Sequence, residues 1–119
     1  MKLAAVCVAA TIAATAAFAR PAAAGTETTA TSVITQIKVV DVGDSNYKLF
    51  HGAVWLEYDK ATANYRWGGE HCNGEGLTDL NVGLLFSAFR AKYSVSIDYK
   101  LTKHNKRTYR CITGFSVTR

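Results

Sequence analysis

The chain has 119 residues, is 49% apolar and carries a formal charge of +5. Residues 1–24 hold 19 of the apolar side chains, 12 of them alanine, and leave 39 in the remaining 95 residues. That is material for one small domain. It excludes multidomain enzymes, solenoids and dinucleotide-binding sheets.

Met1-Lys2 begins the chain with a positive charge, and Leu3–Phe18 is apolar and uncharged. Ala17-Phe18-Ala19 and Ala22-Ala23-Ala24 both fit a small-x-small cleavage rule, so residues 1–24 are expected to be a secretory signal peptide. Cleavage is expected after Ala24, with Ala19 as the alternative. A membrane anchor is the competing reading, but the 16 residues of Leu3–Phe18 fall short of the roughly 20 a bilayer span needs. No other stretch offers a span, so the mature protein is expected to be secreted or periplasmic.

Residues 25–31 (GTETTAT) are small and polar and are expected to form a flexible mature N-terminus. Residues 32–119 are expected to form a single domain. Ser32–Val42 is rich in β-branched residues and predicts a strand. Gly43–Asn46 is a turn cluster. Tyr47–Tyr58 is a second extended run, in which Gly52 predicts a bulge or a sharp coil. Asp59–Thr62 connects to a third strand over Ala63–Trp67.

Gly68–Gly76 has four glycines in nine residues, which argues against a regular element there. It lacks the Lys-Ser/Thr ending of a phosphate loop. Thr78 or Asp79 is then placed to cap a helix, with Leu80, Leu84, Ala88 and Ala91 at helical spacing. Val82, Leu85, Phe86 and Phe89 widen its apolar surface to two sides. The helix is expected to end near Ala91-Lys92. Tyr93–Leu101 alternates without error, which predicts Tyr93, Val95, Ile97, Tyr99 and Leu101 on one buried face. Thr102–Thr108 is a basic loop. Tyr109–Thr118 alternates again, with Tyr109, Cys111, Phe115 and Val117 predicted to share a face. The predicted class is mainly β with one helix: a five-stranded, OB-like, partly open barrel of order β-β-β-α-β-β. An α+β sandwich with one helix is the alternative.

Cys7 leaves with the leader, and Cys72 and Cys111 remain. An even pair in an exported small domain predicts a disulfide. The alternative, a metal site built on His71-Cys72, lacks the spacing of a zinc site, and neither a metal nor a cofactor is expected. Charge is unevenly spread. Residues 25–89 carry 4 basic and 8 acidic side chains, and residues 90–119 carry 8 basic and 1 acidic. The basic third could meet phosphate, sialic acid, glycosaminoglycan or an acidic partner, with Lys103 and Arg107 as candidate contacts; a solvated hairpin tip is the alternative.

The mature part has twelve aromatic residues, and Trp55, Tyr58, Tyr65 and Trp67 cluster around the second hairpin. Tyr65 and Trp67 are candidate sugar platforms, against a competing role in the core. His51 and His71 could form an acid–base pair as in a small secreted ribonuclease, with Lys100, Lys103 or Arg110 holding phosphate. Glu57, Glu70, Glu75 and Asp79 suit a glycosidase only if so small a domain offers a cleft. Nucleic-acid binding would use the basic third with Tyr93, Tyr99 and Tyr109; export argues against it.

Val33-Ile34-Thr35-Gln36 at the first strand resembles the B subunits of subtilase-cytotoxin-like and typhoid-toxin-like AB5 toxins. The later part is similar to AB5 B subunits more broadly. It has a helix ending in Phe89-Arg90-Ala91-Lys92, a strand Ser94–Lys100, a polar loop and a last strand Tyr109-Arg110-Cys111-Ile112-Thr113-Gly114-Phe115. The resemblance implies an OB-fold, a homopentameric ring with helices lining a pore, and recognition of cell-surface glycans. The position matching that family's sugar-contacting serine is Ala30, with Thr31 and Ser32 as the nearby hydroxyls and candidate ligand contacts. The family's cysteine in the second strand corresponds to a place near Leu49. The expected function is an exported glycan-binding module forming a ring oligomer. The alternatives are an accessory or inhibitor protein that binds another protein, and a small hydrolase using His51 and His71.

Overall fold

The structure is a computed structural model that describes residues 25–59 and 63–119. The expected leader with its cleavage sites, and most of the short connection after Asp59, lie outside the described residues. The strands are β1 (Glu27–Thr28), β2 (Ser32–Val39), β3 (Gly52–Leu56), β4 (Asn64–Trp67), β5 (Ser94–His104) and β6 (Arg107–Thr118). The helix α1 (Asp79–Ala91) separates β4 from β5, and single 3-10 turns occupy Glu57–Asp59 and Glu70–Cys72. The protein is thus mainly β with one helix, in the predicted order except that the short β1 precedes the main first strand. Among the described residues no helix is long and apolar enough to cross a membrane.

The strands pair around an incomplete ring. β5 joins β2 at Ser32↔Val95 and Val33↔Ser94, β2 joins β3, β3 joins β4, and β6 returns to β5 along its whole length. β1 lies on the same edge of β5 as β2 does, further along the strand. The ring closes through β4 and β6, which run parallel and meet only at Arg66↔Cys111. That joint is a seam rather than a ladder, and the barrel is open on both sides of it.

Ile34, Val54, Leu56, Tyr65, Trp67, Val95, Ile97 and Ile112 fill the interior, and α1 packs on it through Leu85 and Ala88. Thr78 Oγ1 accepts the amide of Asn81 at 3.2 Å, a cap worth about 1 kcal/mol. Lys92 ends the helix in the left-handed region at φ 60°. Only one side of α1 is covered. Leu80 is 74% exposed, and Leu84 and Phe86 are also exposed, so the second apolar side expected from the sequence faces outward.

Several local expectations need correction, among them the basic loop Thr102–Thr108, which is strand apart from Asn105 and Lys106. The second extended run is a strand only over Gly52–Leu56. Before it the chain turns, with the Asn46 amide bonded to Asp44 Oδ1 at 2.7 Å and the Tyr47 amide to the Asp44 carbonyl at 3.0 Å. The bulge lies in β2, between Ile34 and Gln36, and not at Gly52. The glycine-rich loop contains the turn Glu70–Cys72, bracketed by Gly68, Gly69 and Gly74 at positive φ. Tyr93 and Leu101 are exposed, Leu101 to 55%, while Thr102 is buried.

The alternation predicted for β6 is also interrupted. Asp98 pairs with Gly114 but Tyr99 pairs with Ile112, so Thr113 is an extra residue. The bulge puts Ile112 and Phe115, three apart, against the same core. Tyr109 and Cys111 are turned to the outside, where the Glu70–Cys72 turn covers them. The predicted common face for Tyr109, Cys111, Phe115 and Val117 therefore splits in two.

Candidate functional site

The outer side of the seam is built from β4, β6 and the turn Glu70–Cys72. Strand alternation sends Tyr65 and Trp67 inward and Arg66 outward. Cys72 and Cys111 are bonded, with Cα atoms 5.6 Å apart, and this clamps the turn onto β6. His71, 7% exposed, then stacks on Tyr109 with ring centroids 4.0 Å apart. Phe50 lies parallel to His71 at 5.9 Å.

Arg66 is held within this group. Its Cζ lies 4.2 Å from the Phe50 ring centroid and 4.9 Å from that of Tyr109. Nε donates to Asn64 Oδ1 at 3.1 Å, and Nη1 donates to His71 Nδ1 at 2.7 Å. A guanidinium only donates, so His71 must present a bare Nδ1 and carry its proton on Nε2. Burial, then the charges of Arg66 and His104, push the His71 imidazolium below the ordinary histidine range. Burial also lowers Arg66, and the nearby Arg107 adds to the lowering.

This arrangement predicts a pH dependence of stability. In the unfolded chain His71 takes a proton near its ordinary value of about 6.5. In the fold it takes one only at lower pH. Its contribution is therefore complete above about 6.5 and is lost as pH falls from there toward the depressed folded value. Urea midpoints measured from about pH 7.5 down to 5 should fall for the wild type and fall less for His71→Asn, whose amide oxygen can replace Nδ1 as acceptor. Equal slopes in the two proteins would exclude the assignment.

Beside the stack, the open seam forms a cleft of about 530 Å³ lined by Asn64, Arg66, Leu101, Thr108, Tyr109 and Arg110. Its volume is within the range of small-molecule sites. Arg110 places its Cζ 5.4 Å from the Tyr65 ring centroid. Tyr65 donates to Asp59 Oδ2 at 2.8 Å, and burial and that bond push its phenol well above the ordinary range. Lys103 is paired in register with Thr108 at the rim.

The residues singled out from the sequence do not form one site. Tyr65 and Trp67 are core residues, 1% and 3% exposed. Ser32 is buried, and its Oγ accepts the Tyr58 amide at 3.2 Å; Thr31 beside it is exposed. Ser32 pairs with Val95, so it lies eight residues along β5 from Lys103, roughly 26 Å. Lys103 and Arg107 flank the seam cleft instead. His51 stacks on Tyr47 at 3.9 Å, apart from the His71 stack, and His71 Nδ1 is occupied by Arg66. The bridge consumes both sulfurs, which leaves the His71-Cys72 metal alternative without a thiolate.

The sequence does not single out Arg66, Asn64 or Phe50, and it offers Tyr109 only beside the basic third. The usable signal was small: Arg66 is the one charged residue of β4 and sits between two inward aromatics. No family model matches the chain, and neither a curated protein nor a solved structure matches it significantly.

Proposed function

We propose that this chain is an exported binding module that holds a glycan in the seam cleft and assembles as a ring through the outer side of α1. The observation that carries the reading is the cleft itself, where two guanidiniums and the amide of Asn64 line one opening at a weak joint of the sheet. Fixed polar groups around a preformed opening favour ligand selection with little reorganisation. The Cys72–Cys111 bridge supports an oxidising compartment. Leu80, Leu84 and Phe86 supply the apolar surface that a second copy would cover.

The alternative is an accessory or inhibitor protein whose partner docks on α1, which the same exposed leucines favour. A glycan array probed with the mature protein, and light scattering at micromolar concentration, separate the two. Glycan signal together with a mass several times that of the monomer is the expected result. A monomer would remove the ring. An array without signal would remove the glycan and leave the accessory role.

A further inference from the structure

The positive charge around the seam exceeds what a ligand with one acidic group needs. Arg110 faces Leu101 across the β5–β6 hairpin, and Lys103 is two residues on from Leu101. Lys103 is therefore a diagonal neighbour of Arg110 on the same face, roughly 7–8 Å away. Arg66 stands across the seam, and Arg107 is near enough to oppose its charge. The neighbouring carboxylates are engaged elsewhere. Glu75 Oε1 accepts from Lys100 Nζ at 2.8 Å, Glu70 lies 3.6 Å from His104 Nε2, and Asp59 takes the Tyr65 hydroxyl. Lys100 and His104 alternate with Leu101 and Lys103 along β5 and so belong to the opposite face, the one that also carries His71 and Arg66. Among its described lining residues the cleft has no carboxylate.

Arg66 is also pre-organised. Its Cζ rests against two rings, and its Nε and one Nη1 hydrogen are taken by Asn64 and His71. Three N–H donors of the five remain for a ligand. A guanidinium held this way loses little freedom when it takes an oxyanion in a two-pronged contact.

We infer that the seam between β4 and β6, with its rim on the hairpin, is a subsite for a multiply sulfated glycan. Arg66 and Arg110 take sulfate groups in the cleft, and Lys103 takes the next one along the chain. This rests on the glycan-binding reading above and specifies its ligand class. Repeated sulfates match cations set around one opening, with Arg66 on the outer side of the seam and Arg110 and Lys103 on the other face of the hairpin, whereas one carboxylate would satisfy a single cation and leave the others opposed. The aromatic rings argue against single-stranded nucleic acid, which binds by stacking bases on open ring faces. Tyr65 is buried in the core, and Tyr109 is covered by His71.

The test is calorimetric titration of the full mature chain with a fully sulfated heparin dodecasaccharide at about 50 and 200 mM salt, where counterion release makes phosphate-like contacts salt-dependent. Arg110→Gln is compared with Lys38→Gln, which removes the same charge from exposed β2. Arg110→Gln should weaken binding about ten-fold or more and Lys38→Gln less than about two-fold, a gap of one charge-assisted contact. Arg110→Lys, which keeps the charge and loses the fork, should fall between them and guards against misfolding of the glutamine variant. Equal losses in the glutamine variants would reduce the binding to general charge attraction and overturn the subsite. So would equal affinity for a twelve-residue oligothymidylate, or no binding at the lower salt. A protein that binds neutral glycans on the array but not the dodecasaccharide would overturn the sulfate subsite alone. One that binds neither would overturn the glycan reading with it.

Discussion

Replacing Cys72 and Cys111 together by alanine is expected to lower stability by about 4 kcal/mol, the chain-entropy value for a loop of this length. The two cysteines are 39 residues apart, and the bridge encloses the second part of the glycine-rich loop, all of α1 and β5, and the start of β6. Without it the unfolded chain regains that freedom, and the folded chain loses the clamp between the Glu70–Cys72 turn and β6. Both sulfur-bearing residues are fully buried, so the substitution also leaves a void beneath His71. For a domain of about 95 residues such a loss removes a large part of the total stability. Urea titration of the wild type and of the double variant measures it through the shift in midpoint at constant slope. A loss below about 1 kcal/mol would mean that backbone bonds from the turn to Lys48 and Leu49 hold it unaided. The Arg66 stack should loosen along with the clamp, because His71 is the residue next to Cys72.

Gly52→Ala is expected to cost about 3 kcal/mol, at the upper end of what overpacking a core exacts. A methyl group at this position would overlap the Trp67 ring and sit 2.7 Å from the Lys38 carbonyl oxygen. Neither can retreat easily. The ring is enclosed by the core, and the carbonyl belongs to the β2 backbone paired with β3. Gly83 supplies the control. It lies on α1 with nothing within 4 Å of an added methyl, so Gly83→Ala should gain up to about 1 kcal/mol from helix propensity. Near-ultraviolet circular dichroism should change in the first variant, through displacement of Trp67, and not in the second. A Gly52→Ala protein of wild-type stability with an unchanged spectrum would rule out the close approach.

Local periodicity carried most of the architecture. The alternation of β5 up to Tyr99, the Thr78 cap and the helix end at Lys92 all depend on residues within a turn or a strand of each other, and these are legible in one dimension. The pairing of Cys72 with Cys111 was also legible, because the two cysteines outside the expected leader leave one combination. Gly52 stands out in the sequence as a bulge, but its role in the fold is a different one. It makes room for a ring fifteen residues away, and nothing near it in sequence says so. The site was legible only in fragments. Lys103 and Arg107 stood out by charge density, but Arg66 acquires its meaning from Phe50, His71 and Tyr109, which the disulfide and a weak strand joint bring together from separate elements. The aromatic residues that looked most like a sugar platform, Tyr65 and Trp67, are the ones the barrel needs for its interior.

The bulge at Thr113 gives β6 two phases. Ahead of it, even-numbered positions such as Ile112 look toward the barrel axis and Tyr109 and Cys111 look away. After it, odd-numbered Phe115 takes the axial direction. One strand therefore meets the core in opposite parity on either side of the bulge, and a single added residue keeps the two segments compatible. Deleting that residue would leave composition and charge almost untouched, yet one of the two segments would be written on the wrong side of the sheet. Substitutions within either segment are local events; changes in the count between them are not.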